Sequence, residues 1–181
     1  MSVTLSFLAA ALAAVVGSAA VIRKRTALAS WSFFAGMLLL GGQGLIDGWL
    51  AGVDSAEAAL AGGSVSLLLR SFAPLFWLGF SLVYCRGNRR EFLHRWRFVL
   101  IASIVFPAGL SAGFHGSLLD SSSTLRLPAG WQIGLMPAGK GLALVLLLLD
   151  LLILVNLEKT FRAAVGLVRW RVKYLFLGIG L

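Results

Sequence analysis

Ala138-Gly-Lys-Gly-Leu-Ala-Leu-Val-Leu-Leu-Leu-Leu-Asp-Leu-Leu-Ile-Leu-Val-Asn-Leu157 decides the fold class. A helix needs about 20 mostly apolar residues to cross the hydrocarbon of a bilayer, and this run supplies them, with Leu144 to Leu149 almost purely aliphatic. Its surroundings repeat the pattern. Of the whole chain 59% is hydrophobic and only 13% charged, at a mean hydropathy of +0.92, against the roughly 25% charge of soluble domains. The expected fold is therefore all-α, a polytopic membrane helix bundle.

Working outward, five complete spans are expected, at about 3–22, 27–50, 67–84, 98–114 and 138–157, with the start of a sixth at 174–181, all within one domain covering 1–181. The apolar run beginning at Tyr174 is too short to cross, so seven helices are expected in a longer protein. The first run could pass for a cleavable signal, but such a signal carries its positive charge in front. Here Arg23-Lys-Arg25 follows the run, which suits a retained anchor.

Charge assigns the sides. The loops after runs one, three and five hold thirteen basic residues and two acids, Glu91 and Glu158. The remaining loops and their flanks hold Arg70, Arg126 and Lys140 against Asp54, Glu57 and Asp120. Because basic loops stay cytoplasmic, the N-terminus is expected outside. The net charge of +9 thus reads as topology signal and not as a nucleic-acid surface. A single cysteine, Cys85, rules out an intramolecular disulfide.

Between the runs, Asp54 and Glu57 are expected in a Gly/Ala/Ser-rich loop leading to Leu67, and 115–137 in a long loop lying on the helix ends. Loops of that length are usually functional or mobile. Gly44 and Gly48, extended by Gly41 and Gly52, predict close approach of a neighbouring helix. Pro74 predicts a kink that the bundle tolerates.

Ionisable residues inside membranes are functional candidates by default. Asp150 reads as a ligand or proton site, or as a protonated group hydrogen-bonded to a neighbouring helix, the packing role being the commoner. Gln43 and Asp47 share a helix face, and Asp47 is expected to pair with Arg70 across the following loop. His94 stands among arginines, and His115 has no second ligand at metal spacing. No metal site and no catalytic motif is found. Glu158, Lys159, Phe161, Arg162, Arg169, Trp170, Arg171 and Lys173 are expected to form an amphipathic cytoplasmic loop, the basic members facing anionic headgroups.

Val155-Asn-Leu-Glu-Lys-Thr-Phe-Arg-Ala-Ala together with Arg169-Trp-Arg-Val-Lys-Tyr-Leu-Phe-Leu-Gly resembles the membrane region of the bacterial sensor histidine kinases that accompany the exosortase/PEP-CTERM protein-sorting and exopolysaccharide system. The resemblance implies an inner-membrane sensor of a two-component phosphorelay, working as a homodimer through a cytoplasmic kinase core that lies outside this sequence. That core would use ATP and Mg and signal to a response regulator. None of the core's residues has a counterpart here, so no catalytic residue is carried over and no cofactor is expected in this fragment. The alternative from the residues is a transporter or channel subunit with Asp150, Gln43 and Asp47 along a polar path. A membrane-embedded lipid or glycan enzyme is a third, weakened by the lack of clustered His, Asp and Glu.

Overall fold

A computed structural model describes residues 3–23, 27–84, 89–114, 116–127 and 130–163. They form α1 (Val3–Arg23), α2 (Leu28–Gly52), α3 (Ala56–Val83), α4 (Arg89–Arg95), α5 (Arg97–Gly113), an antiparallel hairpin of β1 (Leu119–Leu127) and β2 (Gly130–Leu135), and α6 (Pro137–Ala163). Four of these, α1, α2, α3 and α6, are long and apolar enough to cross a membrane, whereas α5 is a shorter apolar helix. The chain thus has the character of a membrane-embedded helical protein.

α1 and α2 pack through small residues. Ser6, Ala10, Ala13 and Gly17 are the buried positions of α1, at the three- and four-residue intervals that share a helix face, and the first three of them meet Gly41, Gly44 and Gly48 of α2. A Cβ at Gly44 would come within 3.1 Å of the Ser6 carbonyl oxygen, and one at Gly41 within 3.3 Å of that of Ala10. The seam is backbone against backbone. Gly52, expected to extend it, faces open space.

α3 is the central helix, in contact with α2, α5, α6 and the hairpin. It starts at Ala56, well before the expected Leu67. Ser55 caps it by accepting a hydrogen bond from the Ala58 amide (3.3 Å), and Glu57 in the first turn suits the positive end of the helix dipole. The small residues that look loop-like are packing positions: Gly62 lies against Trp49 and Leu50, and Gly63 against Ile133 and Leu119. The helix runs on through Pro74.

The apolar core lies toward the far end of α3, where Leu78, Leu82, Ile153 and Leu157 are buried beneath Trp77, Trp96, Val99, Leu100 and Leu152. Phe33, Trp77, Phe80 and Tyr84 continue it as an aromatic group between α2 and α3. Polar groups buried there are bonded: Asn156 Nδ2 donates to Ser81 Oγ (2.9 Å), and Ser71 and Ser111 share a hydrogen bond between α3 and α5 (3.1 Å). Among the described residues no buried side-chain nitrogen or oxygen lacks a partner, as a core of this kind requires.

Two further expectations change. The segment 115–137 is largely a hairpin and not an irregular loop, and α6 continues to Ala163 and not to Leu157. Asn156 lies inside this helix, its Nδ2 donating to Ser81 Oγ of α3, and the helix runs on past the end of the apolar run. Tyr174 to Leu181 lies outside the described residues.

Candidate functional site

The polar groups that the fold brings together are at the hairpin end. β1 and β2 pair with Leu119 opposite Leu135 and Leu127 opposite Gly130, with an irregularity between Asp120 and Leu125. Within that irregular stretch the Asp120 carboxylate accepts hydrogen bonds from the Ser122 amide (2.9 Å), Ser122 Oγ (2.6 Å) and Ser123 Oγ (2.8 Å). The Ser122 side-chain hydrogen bond first, then that of Ser123, holds the Asp120 carboxyl below the usual carboxylate range, because both stabilise the charged form. The bulge folds over β2, and a Cβ at Gly134 would collide with Ser123 Oγ.

The hairpin is fastened on three sides. Arg126 forms an ion pair with Asp54 in the α2–α3 turn. Trp131 Nε1 donates to the Val53 carbonyl (2.8 Å), and the Arg126 guanidinium stands 5.8 Å from the centre of the Trp131 ring. Ile133 and Leu119 press on Gly63 of α3. At its base, the Met136 amide donates to the Leu118 carbonyl (3.0 Å), and that oxygen sits where a Cβ of Gly139 in α6 would be. One small sheet therefore ties together the ends of α2, α3 and α6.

Compared with known protein families, characterised proteins and solved structures, the chain matches none. The site is accordingly read from its own residues.

The residues singled out from sequence are dispersed. The pair expected between Asp47 and Arg70 is not formed among the described residues, where Arg126 pairs with Asp54 and Arg162 with Glu158. The reason is the early start of α3. In the antiparallel α2–α3 unit Gly42 lies against Leu69 and Gly62 against Trp49, so the position level with Asp47 is Ser64, and Arg70 lies roughly 9 Å further along at 1.5 Å per residue. Arg70 stands at the midpoint of α3 and Asp150 at that of α6, both exposed, while Gln43 is half-buried and Asp47 exposed on α2.

Glu158, Lys159, Phe161 and Arg162 are not in a loop but in the last turns of α6. There Arg162 bonds Glu158 through Nη2 (2.6 Å) and Nε (3.0 Å), one turn apart as helical ion pairs are. Arg169, Trp170, Arg171 and Lys173 lie outside the described residues, as do Cys85 and His115. His94 is exposed on α4. Among the described residues no three His, Cys, Asp or Glu side chains converge as a metal site would require.

Sequence reading missed the fastening itself, Val53, Asp54, Arg126 and Trp131. Its signal was there: Leu125 and Leu127 before Pro128-Ala-Gly130, then Trp131, Ile133 and Leu135 after it, the period of two that marks paired strands around a turn.

Beside the hairpin is a cavity of about 860 Å³ between α3 and α5, walled by Leu60, Leu68, Phe72 and Ala108 and roofed by Leu118 and Met136. Its size falls in the range of small-molecule sites.

Proposed function

We propose that this chain is the membrane-embedded sensory region of a two-component histidine kinase in a bacterial inner membrane. In this reading α1, α2, α3, α5 and α6 all cross, with the N-terminus and the hairpin outside and the basic loops inside. α5 is short for a span, but its 17 residues reach the lower limit for crossing, and it carries the chain from the basic end back to the hairpin. The asymmetry of the Lys and Arg residues supports that orientation.

The observation that carries the reading is the hairpin clasped to the α2–α3 turn and rooted in α6, with α6 running unbroken from that root to Glu158 and Arg162 at the opposite end. A cue that binds one arrangement of the hairpin more tightly shifts the helices toward that arrangement, and α6 delivers the shift to the segment up to Lys173. The kinase core of the full-length protein then uses ATP and Mg, pairs as a homodimer and passes phosphate to a response regulator. In this reading the catalytic groups and the nucleotide belong to that core.

The test is to incubate the full-length gene product, in membranes, with labelled ATP. Acid-labile, alkali-stable phosphate on the protein is the expected result. A reading frame that continues as further helices and incorporates no phosphate would instead favour a transporter or channel subunit. The specific observation behind that second reading is the pair of exposed ionisable groups at mid-helix, Arg70 and Asp150.

A further inference from the structure

The cavity between α3 and α5 owes its existence to residue size. Small residues line it on both helices, Ala61 and Ser64 on α3 and Ala108 and Ser111 on α5. The Ser71–Ser111 hydrogen bond joins α3 to α5 at one edge. At the hairpin end Leu118, Leu119 and Met136 cover the space. Leu119 is itself seated on Gly63 of α3, so the roof is fixed to one wall.

The walls decide what can fill the space. Val65 and Leu68 belong to the lining and are also 48% and 45% exposed, so the cavity is continuous with the apolar outer surface of α3, which in a bilayer meets hydrocarbon. An empty space there would leave its lining without contact partners, and water has few polar partners on such walls. A lipid tail entering from the bilayer gains little from the hydrophobic effect, since lipid tails are as apolar as the wall. Selectivity must therefore come from the polar end. The polar lining consists of hydroxyls, Ser64, Ser111 and Ser121, with no charged side chain among the lining residues. Ser64 already donates to the Ala61 carbonyl and so offers acceptor capacity. With no cationic side chain among the lining residues, an anionic head would sit there without a charge partner.

We infer that this cavity binds a single-tailed membrane amphiphile with an uncharged, hydroxyl-bearing head, its tail along Leu68 and Phe72 and its head under the hairpin near Ser64 and Ser121. The inference does not depend on the kinase reading, because binding is measurable without any output. For a sensor, however, it places an exchangeable lipid directly beneath the one element that joins the ends of α2, α3 and α6.

The experiment is photolabelling of the full chain in phosphatidylcholine vesicles with two diazirine probes of equal chain length, a monoacylglycerol and a fatty acid, followed by peptide mapping. The monoacylglycerol is expected to label 60–72 and 108–119 saturably, with competition by unlabelled monoacylglycerol, and to exceed the fatty acid there by about tenfold, a difference of about 1.4 kcal/mol. Ala108→Leu and, separately, Ser64→Leu are expected to reduce that labelling about fivefold or more while leaving labelling of the exposed face of α1 unchanged. The wild-type competition holds the proposal to account even if one variant fails to fold. Non-saturable labelling spread evenly over all exposed helix faces, or labelling indifferent to both well-folded variants, would overturn it. Equal labelling by the two probes would overturn the uncharged head.

Discussion

The α1–α2 seam and the hairpin half of the α3–α5 contact are built from the same kinds of residue and have opposite outcomes. On α1 and α2, small residues on one helix meet small residues on the other, Ser6 and Ala10 against Gly44 and Gly41, and the backbones close to contact. Between α3 and α5 the small residues also stand on both sides, but the hairpin wedges Leu118, Leu119 and Met136 over them and the space stays open. Small side chains permit close approach. Whether it happens depends on what else is bound to the helix ends.

The sharpest way to break this comparison is to enlarge one residue on each side. Gly44→Leu drives a side chain into the Ser6 carbonyl and should destabilise the chain by about 3 kcal/mol, read as a lower unfolding midpoint in mixed micelles. Ala108→Leu fills space and should be neutral or stabilise by about 0.5–1 kcal/mol. Equal losses in the two variants would show that the cavity is closed in the membrane.

A smaller effect is expected at the far end of α3. Ser81→Ala removes the buried hydrogen bond that Asn156 Nδ2 donates to Ser81 Oγ and should destabilise by about 1.5 kcal/mol.

Smaller again is the hairpin fastening, which is solvent-exposed. Arg126→Ala removes an ion pair and a cation–π contact and should weaken the clasp by about 1 kcal/mol. Faster amide exchange across 119–127, reproduced in the wild type by high salt in part, is the readout. If exchange is unaffected, the wedge is held by Leu119 and Ile133 alone.

The smallest effect concerns Asp120. Its folded-state pKa is lowered, so its contribution is fully present above the unfolded value near 3.9 and is lost as pH falls through the depressed folded value. Exchange at Ser122 and Ser123 should therefore be constant from neutral pH to about pH 4 after correction for intrinsic rates and should rise only below it. Asp120→Asn should abolish that acid step.

Much of the fold was legible because membrane helices announce themselves by apolar length alone: α1, α2 and the body of α6 lie where their runs are. The start of α3 was not, since Ala56 to Ser66 is as rich in Ala, Gly and Ser as a loop. The glycines among them are small because Trp49, Leu50, Ile133 and Leu119 pack where a side chain would be, a fact carried by distant parts of the chain. The hairpin was obscured by Asp120 to Thr124, whose serines bond Asp120 and interrupt the strand alternation. The Asp47–Arg70 pairing failed with the α3 boundary on which it was built. The candidate site was the least legible part, because Asp54 and Arg126 become partners only once the hairpin exists.

The attachment points of α6 also limit how it can move. It is held to the hairpin base at Leu118 and Gly139 and to α3 by the Asn156–Ser81 bond near its other end. A piston stroke of even one turn, about 5.4 Å, would break the lower rung and drag the hairpin off Gly63. Rotation of α6 about its own axis would swing Asn156 off Ser81 and turn Gly139 away from the Leu118 carbonyl, whereas a splaying that pivots on Asn156 keeps one rung throughout. Tilt about Asn156, and neither a piston stroke nor a turn about the helix axis, is the motion these two attachments allow.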